Sequence, residues 1–551
     1  RPATALVYVD AALRVLDAAG NVIAESLDEY VAATAGAIIP ALYISDAETA
    51  AALKFYLIES GLGDVFVAAS YENAALVKDV AGLNPVRGLI DFRGLTGADE
   101  DTLDEIIATT NGSHAKVCLI SEQIATEENV QYLQGRCSTV WVATSSTEAA
   151  LLTQYTNGAN GVLVDDYQAA LDTLAFFQDD APSLLRPSLI VGHRGMPSEY
   201  IENTTLSAIG AYAAGADAIE NDIHLTADRK IIINHDESLA RLFNRPDVEN
   251  LNILTLEEIL SIPFVNDTEK GVQAANNQNA SKSRYGYIRY LPSQRMPTLR
   301  EFFELFKDSG VVHDTEIKTN DPAIVIALHN LVDEYDNFGE LFTISFNVNI
   351  LEEMYKAWPE MSVGALGMEG YANPESNLPV FEPYGEMIES GEATVEECVA
   401  MLYAELDKWN ATYNPSSGFS YDVISAGRHR GLTVWPWTYN SAEGFAEAYL
   451  NGIYGLTTNF SYWASDFIVD LDAEDVDLTV GEPLPAPVIT TQNGQQVSME
   501  GLEAIALEGS LDEEGQALMI YRLKQELVID GVSYGSYYLY SNPFTVTVTA
   551  P

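Results

Sequence analysis

Cysteine is nearly absent from this chain. Cys118, Cys137 and Cys398 are its only thiols, an odd number with no CxxC or Cys-His spacing. Neither a disulfide framework nor a zinc site is expected, and the three read as buried apolar fillers. Basic residues are also scarce: 28 Lys and Arg stand against 81 Asp and Glu, a formal charge of −53. Such a surface repels phosphate backbones and anionic membranes, which argues against nucleic acid as a partner. No stretch approaches the ~20 uninterrupted apolar residues of a membrane helix, so no stable membrane insertion is expected. A starting methionine is missing as well, and the opening Arg1-Pro2 reads as a trimmed chain whose targeting segment has been removed. An acid excess of this size suits a secreted or cell-surface bacterial protein, or else the cytoplasm of a salt-loving organism.

What is present is a long chain of ordinary apolar content. At 551 residues, 47% of them hydrophobic, it is expected to divide into three units of common domain size. Between about 36 and 178 the runs AIIPALYI, DVFVAA, VRGLIDF, AKVCLI, STVWVA and GVLVD are each followed by an Ala/Leu/Glu-rich segment. This alternation predicts parallel βα units. It restarts at 189 with LIVGH, AIENDIHL, IIINHD, VHDTEI, LFTISF, MSVGAL, TYNP, TVWPWT and GLTTN, interleaved with helices such as 299 to 307 and 442 to 450. That makes nine candidate strands, one more than an eight-stranded barrel requires. Residues 140 to 161 lie over 434 to 455 at a constant offset of 294, with Val140, Trp141, Thr144, Tyr155, Asn157, Gly158 and Gly161 all recurring. The gapless match predicts related folds for the two halves.

After about 472 the helical patterns fade. DLTV, APVITT, EAIALEG, ALMIYRL and YYLYSNPFTVTVTA cluster β-formers between Gly, Asn and Pro turns, which predicts a small β-sandwich. The fold class is therefore α/β: a TIM-type (β/α)8 barrel over 186–471, preceded by a degenerate, barrel-like βα domain over 1–185 and followed by an all-β, Ig-like sandwich over 472–551. The polar, Asn-rich and locally basic stretch 265 to 297 is expected to form a loop excursion near the site.

The densest polar cluster runs from 192 to 236. GHRG ends one strand, Glu220, Asp222 and His224 fall on alternate residues of the next, and NHD ends a third. Residues two apart on a strand share a face, so Glu220 and Asp222 stand side by side, and Glu316 in HDTEIK can complete a trio of hard oxygen donors. Three carboxylates suit Mg²⁺ or Ca²⁺. Lys318 shares the face of Glu316 and Arg194 stands beside His193, an arrangement suited to an anionic substrate. The carboxyl-end loops of βα barrels are where ligands bind, which turns these separate features into one site.

GHRG, ENTT at 202 to 205, GADAIENDIHLTADRKIIINHD, MPTLREFFELF at 296 to 306, HDTEIK, VWPWTYN at 434 to 440 and GLTTN at 455 to 459 together resemble the glycerophosphodiester phosphodiesterase family. The resemblance covers about 190 to 465. It implies metal-dependent hydrolysis of a small or polymeric glycerophosphodiester to glycerol 3-phosphate and an alcohol. By the same resemblance Glu220, Asp222 and Glu316 would hold a divalent cation, Mg²⁺ or Ca²⁺, and His193 and His235 would be base and acid, in either order. Arg194 and Lys318 would clamp phosphate, and Trp437 would lie against the glycerol moiety, with Trp435 a barrel-wall residue. His224 would be a substrate contact or a structural histidine. IEN stands where the family often has PEN, ADRK replaces an Asp-Gly turn, and TTN replaces a common Thr-Asp; none of these removes a catalytic group. A related barrel phospholipase C or D and a non-catalytic surface-binding protein are the competing readings, and a polymeric substrate would bring association with a cell wall. In the N-terminal half Ala143 takes the place of Trp437, and no histidine precedes His114, so that domain is expected to be catalytically dead.

Overall fold

The computed structural model describes residues 2–83, 86–264, 283–285, 288–289, 291, 293–373 and 376–550. Most of the expected 265–297 excursion therefore lies outside the described residues.

The barrel is built from β10 (Leu189–Gly192), β11 (Ala218–Leu225), β13 (Val312–Ile317), β14 (Leu341–Ser345), β15 (Val363–Gly367), β16 (Thr412–Pro415) and β17 (Gly455–Thr458), all paired in parallel. The extended segment 434–439 bridges β16 at Tyr413 and β17 at Thr458, so it is the stave that closes the ring at eight. The ninth expected strand is no stave: β12 (Ile231–Ile233) turns back and pairs antiparallel with β11. Its Ile-rich run reads like a buried parallel strand, but the five residues between it and β11 are too few for a crossover. Inward-facing Val191, Ala218, Val312, Phe342, Ile344 and Trp435 fill the barrel, as its layered core requires.

The N-terminal domain holds seven parallel strands: β1 (Ala3–Val9), β4 (Ile38–Tyr43), β5 (Phe66–Ser70), β6 (Arg87–Asp91), β7 (Ala115–Ser121), β8 (Thr139–Ala143) and β9 (Gly161–Leu163). A hairpin of β2 (Val15–Leu16) and β3 (Val22–Ala24) is added to β1. The sheet curls on itself, since Phe66 on β5 meets Trp141 on β8 with ring centroids 5.2 Å apart. Among the described residues β9 and β1 do not pair, so the ring is open.

The two halves correspond strand by strand. Trp141 lies against Gly161 and Trp435 against Gly455, the same pair at the offset of 294. The β1–β2 turn and the β11–β12 turn are also alike: Leu13 (φ 58°) and Arg229 (φ 61°) occupy the same left-handed place, with Leu13 N–H donating to Asp10 and Arg229 N–H to Thr226. Tyr8 pairs with Leu16 as His224 pairs with Ile232. β1 is thus the counterpart of β11, and the N-terminal ring lacks the counterpart of β10, the first stave.

The barrels pack bottom to bottom through the N-terminal ends of their strands. Cys137 sits in the apolar cluster inside the closed barrel, while Gly431 presses on Val117 inside the other; these too are positions 294 apart. Thr139 donates to the Gly431 carbonyl at 2.7 Å, Tyr454 to the Ser138 carbonyl at 2.6 Å, and Arg430 pairs with Asp64 at 2.8 Å.

In the C-terminal region β18 (Ile468–Asp472), β20 (Val488–Thr491) and β21 (Gln496–Val497) form one sheet. β19 (Val476–Thr479), β22 (Leu502–Glu508), β23 (Gly515–Ile529), β24 (Val532–Tyr540) and β25 (Phe544–Thr549) form another. The expected boundary at 471/472 falls inside β18. Leu523, Leu527 and Tyr537 join the barrel's core, whereas Ile520 and Tyr540 pack on Leu152 and Phe177 of the N-terminal domain, so this region braces both barrels. All three cysteines are free and buried.

Candidate active site

The GHRG turn is shaped by contact with the helix Thr205–Ala213. A Cβ at Gly192 would stand 2.8 Å from the Ala211 methyl, and one at Gly195 (φ +85°) 2.5 Å from the Ser207 backbone, so both positions exclude any larger residue. The tight turn holds Arg194 at φ 55° and aims its N–H at Glu220 Oε2, 2.7 Å away. His193 N–H donates to the Thr458 carbonyl of the neighbouring stave, which fixes the ring over the barrel mouth.

Glu220, Asp222 and Glu316 are buried, and a ligand atom from each lies within 4.8 Å of the others. The β11–β13 register sets this spacing, with Glu220 opposite Asp314 and Asp222 opposite Glu316. Asn203 clamps Asp222 with a 2.7 Å hydrogen bond. Burial, with Asp222 and Glu316 close by, raises the Glu220 pKa well above the carboxylate range. Burial raises Glu316 and Asp314 as well, each with Asp222 as a neighbouring negative charge. Burial alone would raise Asp222 too, but the charges of His235, Arg194 and Lys318 outweigh it and hold Asp222 low. Among the described residues Glu220 Oε1 and Asp222 Oδ1, both buried, have no hydrogen-bond partner. Hard oxygens that repel one another and lack donors are what a divalent cation satisfies, so the trio fits Mg²⁺ or Ca²⁺.

Two histidines face this trio. His193 Nδ1 lies 2.8 Å from Asn459 Oδ1 and so carries the proton, leaving the Nε2 lone pair on the side of Glu220, 3.9 Å away. Burial and the adjacent Arg194 lower its pKa to about 3, which keeps the ring neutral. His235 Nδ1 is held by Asp236 at 2.7 Å, and its Nε2 faces Lys318 Nζ at 3.2 Å. Lys318 also pairs with Glu316 at 3.0 Å.

Beneath these groups runs an ion network. Glu202 takes Arg194 at 2.9 Å and Arg241 at 2.7 Å, and Arg241 reaches on to Asp236 at 2.6 Å. One chain of charge thus joins the turn that carries His193 to the aspartate that orients His235. Glu202, Asp236 and Arg241 were not assigned roles by sequence reasoning. Glu202 and Asp236 lie within quoted motifs, but Arg241 lies outside them and only the fold brings it here.

The cavity above the trio measures about 410 Å³ and is lined by His193, Arg194, Glu220, His235, Glu316 and Lys318 on one side. Ile344, Phe346, Leu366, Met368 and Trp437 form the opposite, apolar wall. Trp437 is fixed there by donating its indole N–H to the Asn414 carbonyl at 2.9 Å and by edge contact with Phe346. Trp435 lies deeper, against Phe342 in the barrel wall. His224 is fully buried, 3.4 Å from the His235 carbonyl, and does not line the cavity. Asp314 lines it and was not singled out from the sequence.

A parallel (β/α)8 barrel with carboxylates, paired histidines and cations gathered at the carboxyl ends of its strands defines a barrel hydrolase built for a charged ester. Residues 193–462 match the Glycerophosphoryl diester phosphodiesterase family. The matched residues are those of the barrel, and this domain belongs to that family. A glycerophosphodiester phosphodiesterase of Caldanaerobacter subterraneus subsp. tengcongensis is 26% identical over 276 residues, 49% of this chain and 94% of that protein. Human lysophospholipase D GDPD1 is 24% identical over 295 residues, 51% of this chain and 87% of that protein. Among solved structures, an Oleispira antarctica phosphodiesterase in complex with the product sn-glycerol-3-phosphate aligns at 18% identity and TM-score 0.36, over 50% of this chain and 94% of that one. A glycerophosphodiester phosphodiesterase from Agrobacterium tumefaciens aligns at 18% identity and TM-score 0.36, over 50% and 97%.

Proposed function

We propose that the barrel hydrolyses glycerophosphodiesters to glycerol 3-phosphate and an alcohol. The observation that carries this reading is the convergence of three buried carboxylates, two oriented histidines and two cations on one cavity. Glu220, Asp222 and Glu316 would hold Mg²⁺ or Ca²⁺, which when bound offsets the charge of the phosphodiester and polarises it. Arg194 and Lys318 bind the phosphate oxygens. His193 Nε2 takes the proton of the attacking hydroxyl, from water or from the glycerol itself, and that oxygen forms the new bond to phosphorus; where it is the glycerol's own, water then opens the cyclic phosphate to give glycerol 3-phosphate. His235 Nε2 gives a proton to the departing alkoxide as its bond to phosphorus breaks, once phosphate has drawn Lys318 away from the ring. Asn459 and Asp236 keep the two rings in the tautomers these steps need. Trp437 packs on the glycerol carbons, and His224 supports the His235 loop.

The apolar wall of Phe346, Met368 and Leu366 favours a second substrate, a diester that still carries an acyl chain. Release of glycerol 3-phosphate from glycerophosphocholine, and of choline from a lysophosphatidylcholine, measured with and without chelator, separates the two. Loss of release in His193→Ala and His235→Ala, and in chelator with recovery on adding Mg²⁺ or Ca²⁺, is expected. Absence of turnover on every diester, polymeric glycerol phosphates included, would return the chain to the binding-protein reading. We place the protein outside the cell or on its surface, where a −53 charge keeps it soluble.

A further inference from the structure

The open ring of the N-terminal domain encloses a second cavity, of about 660 Å³. It lies between β1 and β9, where the first stave would stand, and the helix Tyr167–Leu174 flanks it. The correspondence with the catalytic barrel shows what became of the interior here. Thr4 and Leu6 hold the places of Glu220 and Asp222, and Ala41, opposite Leu6 in the β1–β4 register, holds that of Glu316. All three line this cavity, so the positions that carry an ionic trio in one barrel form an apolar wall in the other, with Leu89, Leu119 and Trp141 completing it.

The mouth is charged, and with one sign. Arg186, Arg428 and His429 line it, and among the described residues no Asp or Glu does, in a chain where acids outnumber bases 81 to 28. The Arg186 guanidinium is half-buried; it meets the carbonyls of Tyr454 and Gly452 at 3.4 and 3.5 Å and lies over the Tyr454 ring, with no carboxylate among these partners. Arg428 donates to the same Gly452 carbonyl. Arg428 also donates to the Asn451 carbonyl at 3.3 Å, and the two guanidinium groups converge at the end of an apolar pocket, where they offer charge-assisted donors to an anion. On the outer lip Tyr167, Leu171 and Leu174 expose apolar surface.

We infer that this cavity binds a single-chain amphiphile with an anionic head, its acyl chain lying along Leu6, Leu119 and Trp141 and its carboxylate or phosphate at Arg186 and Arg428. The site is separate from the phosphodiesterase cavity and does not depend on that reading. A dansyl-labelled undecanoate titrated into the full chain should bind saturably, and oleate and oleoyl lysophosphatidate should displace it, their relative potency telling a carboxylate from a phosphate head. Uncharged monoolein should compete at least about tenfold less well, the equivalent of ~1.4 kcal/mol for the lost ion contacts. The Arg186→Gln/Arg428→Gln variant should weaken binding by a similar factor with diester turnover unchanged, and Val162→Trp, which fills the pocket from its edge, should abolish it. Circular dichroism checks that each variant folds, and the cation variant alone decides the question if Val162→Trp does not. Binding that ignores both variants would overturn the inference, as would no saturable binding at all, which would leave the gap to an added β-strand.

Discussion

The two barrels share a frame and differ in what fills it. On their outer faces apolar residues correspond: Ile223 and Leu225 of β11 match Val7 and Val9 of β1, each packed under helices. On the inner face Glu220, Asp222, Glu316 and Trp437 of one barrel stand where the other has Thr4, Leu6, Ala41 and Ala143. Packing against helices conserves a fold's requirements, because any loss there costs stability directly. At the inner positions near the mouth an apolar residue is the less costly occupant where no cation is bound, since buried carboxylates without a cation repel one another. The lesson is that the acidic trio is a burden on the barrel that carries it.

That contrast can be broken most forcefully at the trio itself. Glu220→Gln or Asp222→Asn should reduce diester turnover by on the order of 10³-fold or more, and His235→Ala by about 10²–10⁴-fold. The reverse graft, Thr4→Glu with Leu6→Asp and Ala41→Glu, should create no second activity in a Glu220→Gln background, because the described residues of the N-terminal ring hold no counterpart of His193. Turnover regained in that background would show that a trio suffices without the first stave.

The matched tryptophans give the next largest difference. Trp435→Ala removes a fully buried ring and should cost ~3–5 kcal/mol in denaturant unfolding, whereas Trp141, half-exposed at the open cavity, should cost less. Equal losses would mean that the open ring is as tightly packed as the closed one. Smaller again is the effect of cation. Excess Mg²⁺ or Ca²⁺ at 100 times its Kd adds about 2.7 kcal/mol to the native state. The thermal transition of the catalytic barrel should therefore rise, and that rise should vanish in Asp222→Asn while the Thr4 and Leu6 positions remain indifferent.

The smallest expected effect is that of His193 in mild acid, between pH 6.5 and 5. His193 titrates at about 3 in the folded barrel and near 6.5 when unfolded, so between those values the unfolded chain binds the extra proton. Stability contributed by the neutral ring is whole above ~6.5 and falls as pH drops toward 3, by at most about 1.4 kcal/mol per pH unit. His224 and His313, both lowered to about 4 by burial, act in the same direction and lie in the same barrel. His193→Asn should flatten the slope measured between pH 6.5 and 5; an unchanged slope would assign the acid sensitivity to the other two.

Much of the site was legible from the sequence. Alternation along AIENDIHL put Glu220 and Asp222 on one face because a strand's period is two, and GHRG marked the end of the first strand, where Gly195 takes a φ of +85° that favours glycine. The repeat at 294 pointed to a common fold, and the shared Trp-Gly contact is its physical content. Other features were out of reach. Ile231–Ile233 carries the composition of a stave, and only the short turn before it makes it an antiparallel flap. Arg241 sits on a four-residue helix with nothing local to mark it, yet it links Glu202 to Asp236.

The sequence by itself determined which groups this protein has for its chemistry and on which strands they ride, since strand period and glycine sterics are local rules. Only the tertiary structure decided that one ring closes and the other stays open, that the barrels meet base to base through Cys137 and Gly431, and that two arginines from distant segments gather at an apolar mouth. Those outcomes depend on long-range pairing and on which surfaces are left to bury one another, and no window of sequence contains them.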